Sequence, residues 1–233
     1  MPRRDQAETV KPLVQCDFDG TITEEDVAFL VLDYFAQGDW RRLLREYREC
    51  KISVGEFNTR AFAMVKADKH TILEAVKGRV KVRAGFHELV NHCLGKGFRL
   101  VIVSNGLDFY IRAVLKDLGL ANMEVHAAQA SFHPEGMKVQ YVGSDGRKLD
   151  DGLKEAYVKS FLKLGYRIIY IGNGDSDFAP AKYAHYVFAT GDLLTYCRKN
   201  NLKYKPFENF LDVVKELNVM QPCSSNFYNS IEN

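Results

Sequence analysis

Four short apolar runs set the limits on what this chain of 233 residues can become. Residues 13–18, 98–104, 167–171 and 186–189 are rich in apolar and β-branched side chains, and each ends in a small or polar turn. Between them lie stretches with apolar residues at helical spacing, at 86–94, 109–118, 155–164, 193–200 and 207–217. Strands alternating with helices predict an α/β fold, a Rossmann-like parallel sheet doubly wound with helices on both faces. Ligands of such sheets sit beyond the carboxyl ends of the strands, so the residues that follow each run carry the functional interest.

Two stretches break the alternation. From 25 to 82 the apolar positions, among them Val27, Leu30, Val31, Tyr34, Trp40, Leu43, Leu44 and Tyr47, have helical spacing only. This predicts a small α-helical subdomain inserted into a core made of residues 11–24 and 83–217. Its aromatic stripe and Met64 read as packing. Residues 123–149 hold two short β-like runs around His133-Pro134-Glu135-Gly136 and Ser144-Asp145-Gly146, which predicts a hairpin or small flap. The polar, aperiodic residues 218–233 read as a flexible tail.

Composition narrows the function. Hydrophobic residues at 46% and charged ones at 27% suit a globular chain that buries a core. Lys and Arg (32) nearly balance Asp and Glu (30), and a net charge of +2 provides no broad attraction to nucleic acid or an anionic membrane. An anionic ligand must therefore be captured locally. Five cysteines, an odd number with no C-x-x-C pair, suggest neither a zinc site nor a disulfide framework, and read as reduced thiols in a cytoplasm. Residues 1–11 are charged without an apolar segment, and no later run approaches about 18 apolar residues, so neither an export signal nor a membrane span is expected.

The first run ends in Asp17-Phe18-Asp19-Gly20-Thr21. Carboxylates at i and i+2 of an extended strand point the same way, and the Gly20-Thr21 turn offers N–H groups to an anion. One acid can attack a phosphorus while the other exchanges protons, provided that a cation offsets the repulsion between carboxylate and phosphate. The second run ends in Ser104-Asn105-Gly106 ahead of a helix that begins near Leu107, a hydroxyl with N–H groups suited to an anion. Lys154 opens a later helix and can bridge phosphate and nucleophile as a point charge. The third run leads into Gly172-Asn173-Gly174-Asp175-Ser176-Asp177, a turn whose oxygen side chains suit Mg²⁺. Each signal has a plain alternative as a turn or helix cap. Their order along one predicted sheet edge joins them into a site, with Thr21, Ser104, Asn105 and Lys154 as candidate phosphate binders.

This ordered set resembles the haloacid dehalogenase superfamily from about residue 14 to about 217. The run at 17–21 is similar to its first motif, Ser104-Asn105-Gly106 to its second, Lys154 to its third and residues 172–177 to its fourth. The resemblance implies Asp17 as nucleophile, Asp19 as general acid and base, and Ser104 and Lys154 on the phosphate. It also implies Mg²⁺ held by Asp17 and Asp19 with Asn173 and Asp177 of the fourth motif, and a small cap that closes over a small phosphorylated metabolite. The pattern Ser104-Asn105-Gly106-Leu107-Asp108-Phe109 is most similar to the phosphoserine phosphatase-like branch and its relatives in methionine salvage. Asp26 falls near that branch's substrate-binding acid and Arg60 near its carboxylate-binding arginine; both also read as solvated faces of cap helices. The fourth motif ordinarily begins Gly-Asp, and here the acid is replaced by Asn173.

Four functions are open to a chain with these motifs. Mg²⁺-dependent phosphomonoester hydrolysis uses every motif. Carbon–halogen cleavage has no use for Asp19, and phosphonate hydrolysis needs an activated cap lysine. A module that binds a phosphometabolite without turnover would carry Asn173 as its signature.

Overall fold

The computed structural model describes residues 11–219. Its centre is β1 (Lys11–Cys16), flanked by β2 (Arg99–Leu107) and β6 (Tyr166–Gly172), both parallel to it. Residues Leu13, Val14, Val101, Ile102, Ile168 and Ile169 of these strands are buried, because helices cover both faces of the sheet. That two-sided burial is why the runs read as continuous apolar stretches instead of alternating ones. Each such aliphatic side chain contributes about 1.5–3 kcal/mol through burial.

The sheet has eight strands in the order β5-β4-β3-β2-β1-β6-β7-β8, where β3 is Glu124–Ser131, β4 Lys138–Val142, β5 Lys148–Leu149, β7 Tyr186–Ala189 and β8 Lys205–Pro206. Chain order reverses on either side of β1, so its carboxyl end is the switch point of the fold. The stretch at 123–149 is not a separate flap. Its first strand, β3, pairs parallel with β2 and then antiparallel with β4, so the hairpin extends the main sheet. An edge hairpin and a free flap share the same alternation and turns, and only the partner strand distinguishes them.

Between β1 and β2 the chain forms α1 (Val27–Phe35), α2 (Trp40–Arg48), α3 (Val54–Phe62), α4 (Lys69–Val76) and α5 (Phe86–Lys96). Asp26, Asp39, Ser53 and Asp68 cap the first four, each accepting a hydrogen bond from the backbone N–H three residues on. The helical insertion is entered and left by two adjacent strands of chain. Thr23 bridges Val82, and the Arg83 guanidinium donates to the carbonyls of Gly20, Thr21 and Glu208 at 2.8–2.9 Å.

The remaining helices are α6 (Asp108–Asp117), α7 (Leu153–Lys163), α8 (Phe178–Ala181), α9 (Gly191–Lys199) and α10 (Phe210–Val219). The helix expected from about Leu107 starts one residue later, since β2 runs through Leu107 with a register shift after Ser104. That expected over 207–217 begins at Phe210, whose ring packs 5.3 Å from Phe86 of α5. The predicted tail lies outside the described residues from 220 onward, and residues 1–10, where no export signal is expected, lie outside them too. No helix among the described residues is long and apolar enough to cross a membrane, and Cys16, Cys50, Cys93 and Cys197 are free.

Candidate active site

Strand register brings the motifs together. Cys16 pairs with Ile102 and with Ile171, so Asp17, Ser104 and Asn173 leave the sheet at nearly one level. The Asp17 N–H extends the ladder by one bond to Ile171 O at 2.9 Å. Beyond this edge lies a cavity of about 460 Å³ lined by Asp17, Asp19, Ser104, Asn105, Lys154 and Asn173 on the sheet side. The helical insertion supplies the opposite wall, including Phe29, Leu44, Tyr47, Val54 and Phe57.

Lys154 enters from the first turn of α7 and is nearly fully buried. Its ammonium donates to Asp17 Oδ1 at 2.9 Å, Asp177 Oδ1 at 2.7 Å and Ser176 Oγ at 2.9 Å. Burial alone would favour a neutral amine, but the carboxylates of Asp17 and Asp177 outweigh it and push the pKa up. Gln15 of β1 fixes the helix from below by donating to Lys154 O at 3.0 Å.

Asp17 is buried, and burial raises its carboxyl to about 7 in spite of Lys154. Asp19 also rises to about 7, first through burial and then through Asp26, with hydrogen bonds from Tyr110 and Val27 opposing. Those bonds, Tyr110 OH at 2.8 Å and the Val27 N–H at 3.0 Å, aim its two oxygens and tie it to the start of α1. Gly106 is required here, because a Cβ would collide with Asp19 Oδ2 and the Tyr110 hydroxyl. Ser104 Oγ accepts from the Gly106 N–H at 3.0 Å, which leaves the hydroxyl proton for a ligand. The Asn105 carbonyl accepts from Asn58 of α3 and from the Tyr141 hydroxyl, fastening the insertion to the sheet edge.

Three expected roles change. Asp177 is not positioned as a metal ligand: it is fully buried and does not line the cavity. Its oxygens accept from Lys154, from Tyr170 OH at 2.6 Å, and from the N–H groups of Asn173 (2.8 Å) and Gly174 (2.9 Å), which fills its acceptor positions. Gly172 makes this possible, since a Cβ there would lie 2.6 Å from the Asp177 carboxylate. Thr21 is fully buried and does not line the cavity; its hydroxyl donates to Asn173 Oδ1 at 2.8 Å. Arg60 pairs with Glu56 at 3.0 Å and Glu46 at 3.5 Å on the insertion's surface and does not line the cavity. Arg48 enters instead; burial and then Asp192 raise the nearby Asp175 carboxyl, and Arg48 opposes that rise without cancelling it. Asp26 does line the cavity; it caps α1 through Phe29 N at 2.9 Å, and burial raises it to about 6.

Sequence reasoning missed Tyr110, Tyr170, Asn58, Tyr141 and Arg48; apart from Tyr170, which reaches Asp177 seven residues on, they act through contacts distant along the chain. Arg83 had a local signal, as the first residue after the insertion. The donors facing the cavity floor are oxygens, which suits a hard cation such as Mg²⁺. Two carboxylates and one amide oxygen fit such an ion sparingly: no three His, Cys, Asp or Glu side chains converge among the described residues.

Comparison with known proteins agrees with this arrangement. Residues 14–182 match the family described as haloacid dehalogenase-like hydrolase, and the chain belongs to that family. Its similar curated proteins are phosphatases by name, and its solved structural neighbours share the phosphoserine phosphatase fold. Similar curated proteins include the 2-hydroxy-3-keto-5-methylthiopentenyl-1-phosphate phosphatases of Geobacillus thermodenitrificans, 33% identical over 87% of this chain and 93% of the relative, and Bacillus pumilus, 28% identical over 87% and 89%. Among solved structures, a phospho-aspartyl intermediate analogue of phosphoserine phosphatase shares the fold at a TM-score of 0.66 and 17% identity, covering 89% of this chain and 99% of its own. A haloacid dehalogenase family hydrolase from Salmonella enterica serovar Typhi does so at 0.68 and 17%, covering 91% and 72%.

Proposed function

We propose that the chain hydrolyses a small phosphomonoester through an aspartyl-phosphate on Asp17. The observation that carries this reading is the Asp17 carboxylate 2.9 Å from the buried Lys154 ammonium on a cavity floor shared with Asp19 and Ser104. In this reading Asp17 attacks phosphorus and the ester oxygen leaves with a proton from Asp19. A carboxyl near 7 is well matched to giving that proton and then taking one from water, which attacks the aspartyl-phosphate and frees Asp17. Ser104 and Lys154 hold the phosphoryl oxygens through both displacements. Mg²⁺ held by Asp17, Asp19 and Asn173 would neutralise the repulsion between nucleophile and phosphate.

Residues 25–82 act as the cap in this proposal, over a core of 11–24 and 83–217. The aromatic and aliphatic cap wall favours a leaving alcohol with an apolar arm, and the relatives' named substrate, with its methylthio group on a pentenyl chain, has one. Four free cysteines in an odd, scattered set support a reducing compartment, the cytoplasm. The decisive test is phosphate release from a panel of small phosphomonoesters with Mg²⁺ titrated. We expect turnover, and a loss of roughly 10⁴-fold or more with Asp17→Asn. A second reading, binding without turnover, rests on Asn173; phosphate binding with no release at saturating Mg²⁺ would select it.

A further inference from the structure

Asp17 and Asp19 leave the sheet on different footings. Asp17 is held by the ladder itself, through its N–H on Ile171 O at 2.9 Å, and by Lys154. Asp19 comes after that bond, in a turn where the N–H groups of Thr21, Ile22 and Thr23 all return to Phe18 O at 2.8–3.2 Å. A turn closed in this way leaves the carbonyls of Gly20 and Thr21 to find other donors. Arg83 supplies them: its Nη2 donates to Gly20 O and its Nε to Thr21 O, both at 2.8 Å, while its Nη1 donates to Glu208 O at 2.9 Å. Arg83 lines the cavity, yet these bonds go to main-chain carbonyls, and its guanidinium lies 5.8 Å from the ring centroid of buried Phe207. The segment it reaches is anchored to the core, since the Phe207 N–H meets Ala189 O at the end of β7 at 3.3 Å and the Phe210 N–H meets Ala84 O at 2.9 Å.

We propose that Arg83 is a positioning residue for Asp19. It clamps the two carbonyls that follow Asp19 to the C-terminal part of the core, and so fixes the direction from which the Asp19 carboxyl meets the leaving oxygen. The planar fork of a guanidinium holds two successive carbonyls at once, which the point charge of an ammonium does not reproduce. Asp17, tied to the ladder and to Lys154, keeps its place without Arg83. The side chain of Asp19 is held by Tyr110 and by Val27 of the insertion, and Arg83 adds the main-chain hold on its far side. The proposal rests on the phosphatase reading, in which Asp19 protonates the departing alcohol.

The test compares kcat/KM of the full chain, at saturating Mg²⁺, for butyl phosphate, whose alkoxide needs a proton as it leaves, and para-nitrophenyl phosphate, whose phenolate leaves without one. For either ester kcat/KM covers the steps through departure of the alcohol, where Asp19 serves as the acid. We expect Arg83→Gln to lower kcat/KM about 100-fold for butyl phosphate, the scale of a small misplacement of a reacting group, and less than about fivefold for para-nitrophenyl phosphate. Arg83→Lys, able to keep one contact, should fall between wild type and Arg83→Gln with the same selectivity. In an Asp19→Asn background, Arg83→Gln should cost butyl phosphate less than about threefold more, because the group it positions is gone. Equal losses on the two esters, or an undiminished loss in the Asp19→Asn background, overturn the proposal and leave the phosphatase reading standing. A wild-type chain that releases phosphate from neither ester overturns both. Should Arg83→Gln not fold, Arg83→Lys with the same two esters and the same background decides the matter.

Discussion

The two walls of the cavity are built by different physics. On the sheet side, Asp17, Ser104 and Asn173 are set by strand register, and their polar groups are held by dense hydrogen bonding to Lys154, Gly106 and Asp177. On the insertion side, the wall is made by packing: Phe57 is buried, Phe29 meets it edge-on at 6.4 Å, and Tyr47 stacks on it at 5.9 Å. The first wall fixes a reaction and tolerates little change. The second fixes a shape, which a different set of apolar residues can redraw.

Removing Asp177 should show how far the sheet wall depends on groups that never face the cavity. Asp177→Asn places an amide among four donors, and we expect a loss of about 3–5 kcal/mol in urea unfolding. With Lys154 displaced, turnover should fall about 100-fold. The insertion wall should respond differently. Phe29→Ala should lower kcat/KM for esters with an apolar arm by about tenfold, the scale of one aromatic contact, and leave inhibition by inorganic phosphate unchanged. An equal loss for phosphate would place Phe29 in the reaction and erase the contrast between the walls.

Acid sharpens the comparison through Asp26, which sits where the walls meet. Its folded pKa of about 6 lies above the ordinary carboxylate value near 4, so folding favours the protonated form. The stability it contributes is complete below about pH 4 and lost as pH rises through 6. His92 and His185, lowered by burial, work in the opposite sense, so the informative quantity is a difference. Measured by thermal melting without added cation, wild type should gain on Asp26→Asn as pH drops from 7 to 5. The smallest effect belongs to Arg60. Arg60→Ala removes exposed ion pairs to Glu46 and Glu56, and should change stability by less than about 1 kcal/mol with kcat/KM unaltered.

The sheet wall was the more legible one. Asp17, Asp19, Ser104 and Lys154 each follow a strand or open a helix, and in a doubly wound sheet that local fact also places them in space. Legibility stopped at the partners. Asp177 and Thr21 are the right residue types in the right motifs, yet one is consumed by Lys154, Tyr170 and two backbone N–H groups and the other by Asn173. Arg48 and Arg60 are both arginines of the insertion. Which of them meets the cavity follows from how α2 and α3 pack, and helical period alone does not contain that.

The amino-acid sequence by itself determined the parallel core, the helical insertion and the row of acid, hydroxyl, ammonium and amide at the strand ends, because apolar period and turn chemistry act within a few residues. The tertiary structure alone decided which carboxylates face the cavity and which are spent holding Lys154. It also decided which arginine enters and where the edge hairpin pairs. Hydrogen-bond partnership and burial are properties of contacts made across the fold, and residue type states only what a group is able to bind.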